Sequence, residues 1–568
     1  MTTRDEAIAA LTGPGRRYEL RSLPTPHGDL AVFANAPATL RDLFSSTVSD
    51  RDAFVYGDER LTFEQMFRRA AGLAHVLAYE YGVRRGDRVA ISMRNYPEWA
   101  QAFMAVTSIG AIAVALNALW QSDELEFAVR DCAPRVVIAD QERVDRLAAC
   151  SPDLDRRSFS VIAVRPTGDT GTAQPLARLL ASAGDVAMPP ASILSDMPAT
   201  IFYTSGSTGN PKGVVSSHRA VLHAVVGREL AEAISLVMAG ADVETAEHAP
   251  TSRADEVTLL TVPLFHVTAS HAVYLTSYRA QATVVSMRKW DPDEAVALVE
   301  RERVTRVVAP PAVTHDLARA ARASGRDLGS LRQVGGGGAA RPAEQVRQIA
   351  ESLPTTAPTT GWGMTETNSA GSSIGGPDYL QHPDSSGRCP PMLQLRIVDD
   401  HGEVLPAGQV GELQVRGSTM FSGYWNRPDA DAASFVGDWF RTGDVARLDD
   451  EGYLYIVDRI KDLVIRGGEN IGCGHVESAL AMYPGVHEAV VYSVPDDRLG
   501  EEVGATVYAD REIDVDDLRL FVSSHLAAFE VPRYLSVTAE PLPRTASGKL
   551  FKRQVRDAAI ASLGIDPR

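Results

Sequence analysis

Cysteine is scarce in this chain: Cys132, Cys150, Cys389 and Cys473 are the only four among 568 residues. They form no Cys-x-x-Cys pair, which argues against a disulfide framework or a zinc site and fits a reducing cytoplasm. Positive charge is also short, with 56 Lys and Arg against 73 Asp and Glu for a net charge of −17. That balance argues against nonspecific nucleic-acid binding and against a broad surface for anionic membranes, while leaving room for a local basic pocket. No run of about 18 uncharged apolar residues occurs. The longest candidate, 100–120, is broken by Gln101, Thr107, Ser108, Gly110 and Asn117, and reads as a buried helix followed by a strand over 112–115. The opening Met-Thr-Thr-Arg-Asp-Glu has no apolar core of a secretion signal. No internal repeat is found. The expectation is a cytoplasmic protein without a transmembrane segment or a nucleic-acid partner.

What is present is an ordinary globular composition, 45% hydrophobic and 23% charged, in a chain too long for one core, so at least two domains are expected. Helical periodicity over about 62–81 and 96–109 alternates with short apolar strands at 88–92, 111–115 and 136–138, and further strands follow at 258–262, 283–285 and 306–309. Such alternation predicts βαβ units and parallel sheets flanked by helices. The stretches 151–198 and 240–256 are polar and turn-rich and read as solvated excursions. From 395 to 457 short strands and Gly turns predict a small β-rich subdomain. After Asp458 an α+β unit is readable, with helices over 475–482 and 514–525 and strands over 488–492 and 504–508. The division expected is 1–458 for a large α/β N-terminal domain and 459–568 for a C-terminal α+β domain.

The most informative segment is Tyr203-Thr204-Ser205-Gly206-Ser207-Thr208-Gly209-Asn210-Pro211-Lys212-Gly213. Glycines admit close approach of backbone N–H groups to an anion, hydroxyls donate further, and Lys212 adds a mobile charge. The pattern misses the P-loop of kinases and ATPases, which ends in Gly-Lys-Ser/Thr, because Pro211 precedes Lys212 and Gly213 follows it. Four glycines, Gly335 to Gly338, run into Ala339 and Ala340. Their entropic cost is better explained by a backbone surface for a flat base or an acyl chain than by core packing.

TSGSTGNPKG closely resembles the phosphate-loop signature of the adenylate-forming superfamily, which includes acyl- and aryl-CoA synthetases, luciferases and peptide-synthetase adenylation domains. Further matches follow in that family's order: Pro263-Leu264-Phe265-His266-Val267, Gly361-Trp362-Gly363-Met364-Thr365-Glu366-Thr367, Gly411-Glu412-Leu413, Thr442-Gly443-Asp444, Asp458-Arg459-Ile460-Lys461-Asp462, Gly467-Gly468-Glu469-Asn470-Ile471 and Pro543 to Lys549. The resemblance implies a large α/β domain with a mobile C-terminal domain. It implies an ATP-dependent carboxylic acid–CoA ligase, in which the carboxylate first displaces pyrophosphate to give acyl-AMP and a thiol then takes the acyl group.

The residue roles it implies are as follows. Thr204, Ser205, Gly206, Ser207, Thr208, Gly209 and Lys212 cradle phosphates, and Thr208 with Glu366 holds Mg²⁺, a hard cation that carboxylate oxygen suits. Thr365 bonds the α-phosphate, while Trp362 and Gly363, with Gly336, Gly337 and Ala339, bind adenine. Asp444 accepts the ribose hydroxyls and Arg459 donates to the same sugar or phosphate. Lys549 is the catalytic cation of adenylation, Lys461 the hinge, and Gly467, Gly468 and Glu469 border a tunnel for the thiol. The following Gly472-Cys473-Gly474 departs from the family's usual pattern there. His266, Val308, Ala309, Gly335, Gly337 and Trp362 line the acyl pocket, whose small apolar character suits a fatty or aryl acid. No aspartate accompanies Phe265-His266-Val267, which disfavours an α-amino acid. The partners implied are ATP, CoA and a carboxylic acid, with monomer and homodimer both open and peripheral membrane contact allowed if the acid is a lipid. Two alternatives stay open: an acyl-AMP ligase loading the phosphopantetheine of an acyl carrier protein, and a non-enzymatic adenylate-binding relative.

Overall fold

The structure, a computed structural model, describes residues 2–151, 153–155, 158–204, 211–251, 253, 255–337, 346, 356–460, 463–466, 469–496, 498–545 and 549–565. Within them the expected alternation builds an eight-stranded and a fourteen-stranded sheet. The smaller sheet has parallel strands Pro198–Thr204, Ile112–Ala115, Arg88–Ser92, Val136–Asp140 and Ser160–Val164 side by side. The larger has a parallel half in which Asp52–Tyr56, Thr283–Ser286, Val257–Leu260, Arg306–Ala309, Gln333–Gly336 and Ala357–Gly363 are neighbours. Strands buried on both faces are near-continuously apolar, as Ile112–Ala115 and Val136–Asp140 are, because each side must meet a hydrophobic layer.

One buried cluster joins both sheets through the helices Phe63–His75, Pro97–Ser108 and His218–Met238, so these helices form a central layer. Separate clusters cover the outer faces, one with Ser122–Cys132 and Gln141–Ala149, the other with Pro292–Glu302 and Pro311–Ser324. Helix Pro97–Ser108 is buried along nearly its whole length, which accounts for the apolar run that resembled a membrane span. Among the described residues no helix is long and apolar enough to cross a membrane. None of the four cysteines is in a disulfide.

Three expectations need correction. The stretch 151–198 is not merely an excursion: Ser160–Val164 extends the smaller sheet and Leu176–Ala183 packs beneath it, with Ile162 and Leu176 buried. Within 240–256, helix Val243–His248 is capped by Asp242, and Ala246 is buried against the N-terminal helix Arg4–Thr12 and helix His218–Met238. Its acidic outer face hid that packing stripe. The β-rich segment 395–457 is not a separate subdomain in hydrogen-bonding terms. Strands Leu393–Val398, Gly411–Gly417, Trp439–Leu448 and Tyr453–Arg459 pair antiparallel and join Gly371–Gly375 through Gly387–Arg388. The sheet is therefore mixed, continuing the parallel half rather than standing apart from it.

The last unit is a five-stranded sheet containing Val464–Arg466, Glu469–Ile471, Val486–Asp496, Gly500–Ala509 and Tyr534–Thr538. Helices Cys473–Ala481 and Val515–Ser523 cover one face, and the final helix Lys552–Leu563, unanticipated from sequence, covers the other.

Gly387 is the splice between the two halves of the large sheet. It has a φ of +91°, and a Cβ there would collide with the Ser373 carbonyl. Gly387→Ala should lower unfolding stability by at least ~2 kcal/mol, combining left-handed strain with a backbone clash. Chemical denaturation measures it, and an unchanged midpoint would remove Gly387 as a required splice.

Candidate active site

The strands Pro198–Thr204 and Lys212–Ser217 run antiparallel with Thr204 opposite Lys212, so the two ends of the hydroxyl-glycine loop are pinned at the C-terminal edge of the smaller sheet. Ser205, Gly206, Ser207, Thr208 and Gly209 lie outside the described residues, as do Ala339, Lys461, Gly467 and Gly468. Lys212 Nζ sits 4.9 Å from the centroid of the Tyr424 ring, a cation–π contact. The Tyr424 hydroxyl in turn donates to Glu366 Oε1 at 2.9 Å. Tyr424 was not singled out in the sequence, and its placement comes from the pairing of Gly423–Tyr424 with the Lys212–Ser217 strand.

Glu366 sits in a short 3₁₀ turn, Thr365–Thr367, which ends in two successive left-handed residues, Asn368 (φ 55°) and Ser369 (φ 62°). Asn368 Nδ2 donates to the Thr419 carbonyl at 2.8 Å, and the Met364 N–H donates to Thr367 Oγ1 at 3.0 Å. These bonds hold a conformation that non-glycine residues otherwise avoid. The result is a carboxylate only 6% exposed. Burial raises its pKa above the ordinary glutamate value, against the Tyr424 hydrogen bond and the charges of Arg459 and Lys212. Thr365 beside it is half-buried and Gly363 exposed.

Asp444 is 2% exposed. Its Oδ2 accepts from Trp362 Nε1 at 2.8 Å and its Oδ1 from Arg459 Nε at 2.6 Å, while the Asp444 N–H donates to Thr442 Oγ1 at 3.0 Å. The strand register itself sets Asp444 opposite Arg459. Trp362 is thus tied to Asp444 by its indole edge as well as packing by its face.

Lys549 reaches this cluster from the C-terminal unit. The turn carrying it closes by a hydrogen bond from the Thr545 N–H to the Lys549 carbonyl at 2.7 Å. Lys549 keeps solvent contact, yet desolvation of the ammonium, then the Arg459 charge, holds its pKa below the usual lysine value while Asp444 pulls it up. His266 feels the same ammonium. Its Nε2 is buried and has no hydrogen-bond partner among the described residues, and burial together with Lys549 pushes its pKa down to about 3. It is a neutral imidazole at physiological pH.

Beside His266, Val308 and Gly335 are paired across adjacent strands, and a Cβ on Gly335 would press on Val308 and Thr359 at 3.1 and 3.0 Å. A Cβ on Gly337 would touch Thr268 and Val308 at 3.5 and 4.0 Å. Val308, Gly335, Gly337 and Thr268 are therefore neighbours. Gly336 is opposite Ala309. Ala309 departs from its expected place: it is fully buried in the outer cluster with Val307, on the opposite face of the strand from Val308. Glu469 is exposed in the C-terminal sheet. The unusual Gly472-Cys473-Gly474 has a local reason, since a Cβ on Gly472 would lie 3.3 Å from the Val457 carbonyl and the Gly474 N–H donates to Asp458 Oδ2 at 3.1 Å.

The AMP-binding enzyme family matches residues 44–425, and the AMP-binding enzyme C-terminal domain matches 475–549. A feruloyl-CoA synthase of an Amycolatopsis species is 34% identical over 505 residues, covering 88% of this chain and 94% of its own. A long-chain-fatty-acid–CoA ligase of Mycobacterium tuberculosis is 32% identical over 509 residues, covering 89% and 94%. An anthranilate CoA ligase in complex with anthranoyl-AMP shares the fold with a TM-score of 0.83 at 23% identity, covering 93% of this chain and 98% of that one. The Asp444–Arg459–Trp362 cluster with Lys549 above it thus stands in a family frame that spans most of the sequence, and the chain belongs to the AMP-binding enzymes of the adenylate-forming superfamily.

Proposed function

We propose that the protein ligates a carboxylic acid to CoA in two steps, with acyl-AMP as the intermediate and ATP as the energy source. The observation that carries this reading is the convergence of Lys549, from the C-terminal unit, on His266 and Asp444 of the large domain and on Arg459 at the boundary between them. The similarity to feruloyl- and long-chain-fatty-acid–CoA ligases supports CoA as acceptor and a fatty or aryl acid as donor.

In the first step a carboxylate oxygen bonds to the α-phosphorus and the bond to pyrophosphate breaks. Lys549 supplies positive charge where it develops, Thr365 bonds the α-phosphate, and Asp444 with Arg459 holds the ribose. Lys212, with Thr204 and the loop from Ser205 to Gly209, steadies the departing pyrophosphate. Among the described residues no group of three His, Cys, Asp or Glu side chains forms a metal cage. A single buried carboxylate fits an ion whose other ligands are phosphate oxygens and water, so Glu366, with Thr208, would hold Mg²⁺. When bound, the ion neutralises triphosphate charge. In the second step the thiol sulfur bonds to the acyl carbon and AMP leaves. The units 1–458 and 459–568 change their relative pose about Lys461 between steps, bringing Gly467, Gly468 and Glu469 to the thiol path.

Lys549→Ala should slow acyl-AMP formation by ~100-fold or more while sparing thioester formation from supplied acyl-AMP. Separate assays of the two half-reactions test it, and equal loss in both would overturn the assignment. Thioester formation with free CoA supports the CoA reading, whereas turnover only with a holo-carrier protein would replace it.

Glu366 acts ionised, and burial raises its pKa in the free enzyme, so the acid limb of kcat/KM for adenylation, which reports the free enzyme, should lie above the ordinary carboxylate range. The sign for stability is opposite to that of a salt-bridged acid: the cost of burying this charge is present above its folded pKa and is relieved as pH falls through it. Tyr424→Phe removes a bond that favours the ionised form. The acid limb should move to higher pH, and the adenylation rate at neutral pH should fall ~10-fold; a pH–rate profile with an unmoved limb would dissociate Tyr424 from Glu366 function.

A further inference from the structure

The face of strand Arg306–Ala309 that carries Val308 is not wholly apolar. On strand Arg306–Ala309, side chains alternate between faces. Val307 and Ala309 enter the outer cluster while Val308 packs on the inner one, which puts Arg306 on the same face as Val308, ~6–7 Å deeper along the strand. Helix His218–Met238 carries Arg228. Its Nη2 donates to the Ser369 carbonyl and, at 3.1 Å, to Ser369 Oγ, three residues past Glu366. His271, one helical turn beyond His266, is fully buried, with Nε2 unpartnered. Arg228 sits within electrostatic reach of both Arg306 and His271.

The two arginines differ in their counter-charges. Arg306 has Glu256 at 3.6 Å, and Arg253, which shares Glu256 at 2.8 Å, also pairs with Glu232. Arg306 Nε and Nη1 have no hydrogen-bond partner among the described residues, and the same holds for Arg228 Nε. Glu229, next to Arg228 in sequence, is taken by Arg279 at 2.5 Å. Among the described residues no carboxylate pairs with Arg228. An enclosed guanidinium without a counter-charge costs several kcal/mol, and arginine's planar fork is shaped for bidentate binding of a carboxylate.

We propose that the acid carries a second carboxylate at its far end, and that Arg228, flanked by Arg306 and His271, is the site that binds it. The substrate class is then an α,ω-dicarboxylic acid or an aryl acid with a distal carboxylate, its midsection lying along Thr268, Val308, Gly335 and Gly337. This rests on the ligase reading above, which supplies the activated carboxylate; the second one undergoes no chemistry. Arg228 has one other possible duty, holding the left-handed turn at Asn368 and Ser369, and the two duties give different kinetics.

The experiment uses the full-length enzyme and matched straight-chain monoacids and α,ω-diacids of equal length, read by pyrophosphate release. Diacids should exceed monoacids in kcat/KM by ~10–100-fold, the worth of a charge-assisted bidentate contact. Arg228→Met should abolish that ratio by lowering only the diacid values, and Arg228→Lys should restore part of it. A monoacid preference at every length in the wild-type enzyme overturns the proposal, as does an Arg228→Met variant that loses both substrates equally. Binding is read independently by the shift in thermal unfolding with each acid. A diacid shift that Arg228→Met erases supports the site even if no acid releases pyrophosphate, a result that would sink the ligase reading instead. No selective shift for diacids overturns the site.

Discussion

The buried carboxylate of Asp444 is the constraint on which the site depends. Two charge-assisted or polar contacts, 2.6 Å to Arg459 and 2.8 Å to Trp362, tie the hairpin Trp439–Leu448 and Tyr453–Arg459 to a strand remote from it in sequence. Trp362 lies near the end of the strand paired beside the glycine-rich Gln333–Gly336, and Arg459 ends the strand that leads out of the large sheet toward the C-terminal unit. A carboxylate 2% exposed would be costly if either donor moved away. The cluster therefore fixes the point from which the chain enters its last unit, and Lys549, returning from that unit, answers to both Asp444 and Arg459.

A second chain of contacts, Lys212 to Tyr424 to Glu366, plays the matching part on the other side of the site. It crosses between the two sheets: Tyr424 pairs by its backbone with the smaller sheet, while Glu366 follows a strand of the larger one. The phosphate-loop anchor and the buried carboxylate are thereby held in register by one aromatic hydroxyl. The backbone conformation delivering Glu366 is the less favourable left-handed turn at Asn368 and Ser369, supported from below by Asn368 and Arg228.

Parallel strands such as Arg88–Ser92 and Arg306–Ala309 were legible because burial on both faces demands runs of β-branched residues, a local signal. The site residues His266, Glu366, Asp444 and Lys549 were legible only through ordered motifs, since each alone is an ordinary polar residue. What stayed hidden is non-local. The continuity of the large sheet through Gly387–Arg388 is a matter of backbone pairing, and helix Val243–His248 shows an acidic exterior while its buried face is a single short stripe. Arg228 and Arg306 read in sequence like solvated arginines of a helix and a strand. Their enclosure depends on what packs over them, which no local window contains.

That last point bears on how net charge should be read. The chain is −17 overall, yet Lys212 and Arg459 act on the buried Glu366 and Lys549 on Asp444, and both acids are hydrogen-bonded within the protein. Exposed charges farther away than a Debye length of ~8–10 Å contribute little, so the acidic surface neither forbids nor forecasts an anion site. The local field follows from burial, because withdrawing a guanidinium from water strengthens its pull on the nearest anion. The same physics that lowers the pKa of Arg228 makes it a stronger receptor for a negatively charged oxygen. Enclosure, rather than the number of basic residues, therefore sets which anions the protein can hold.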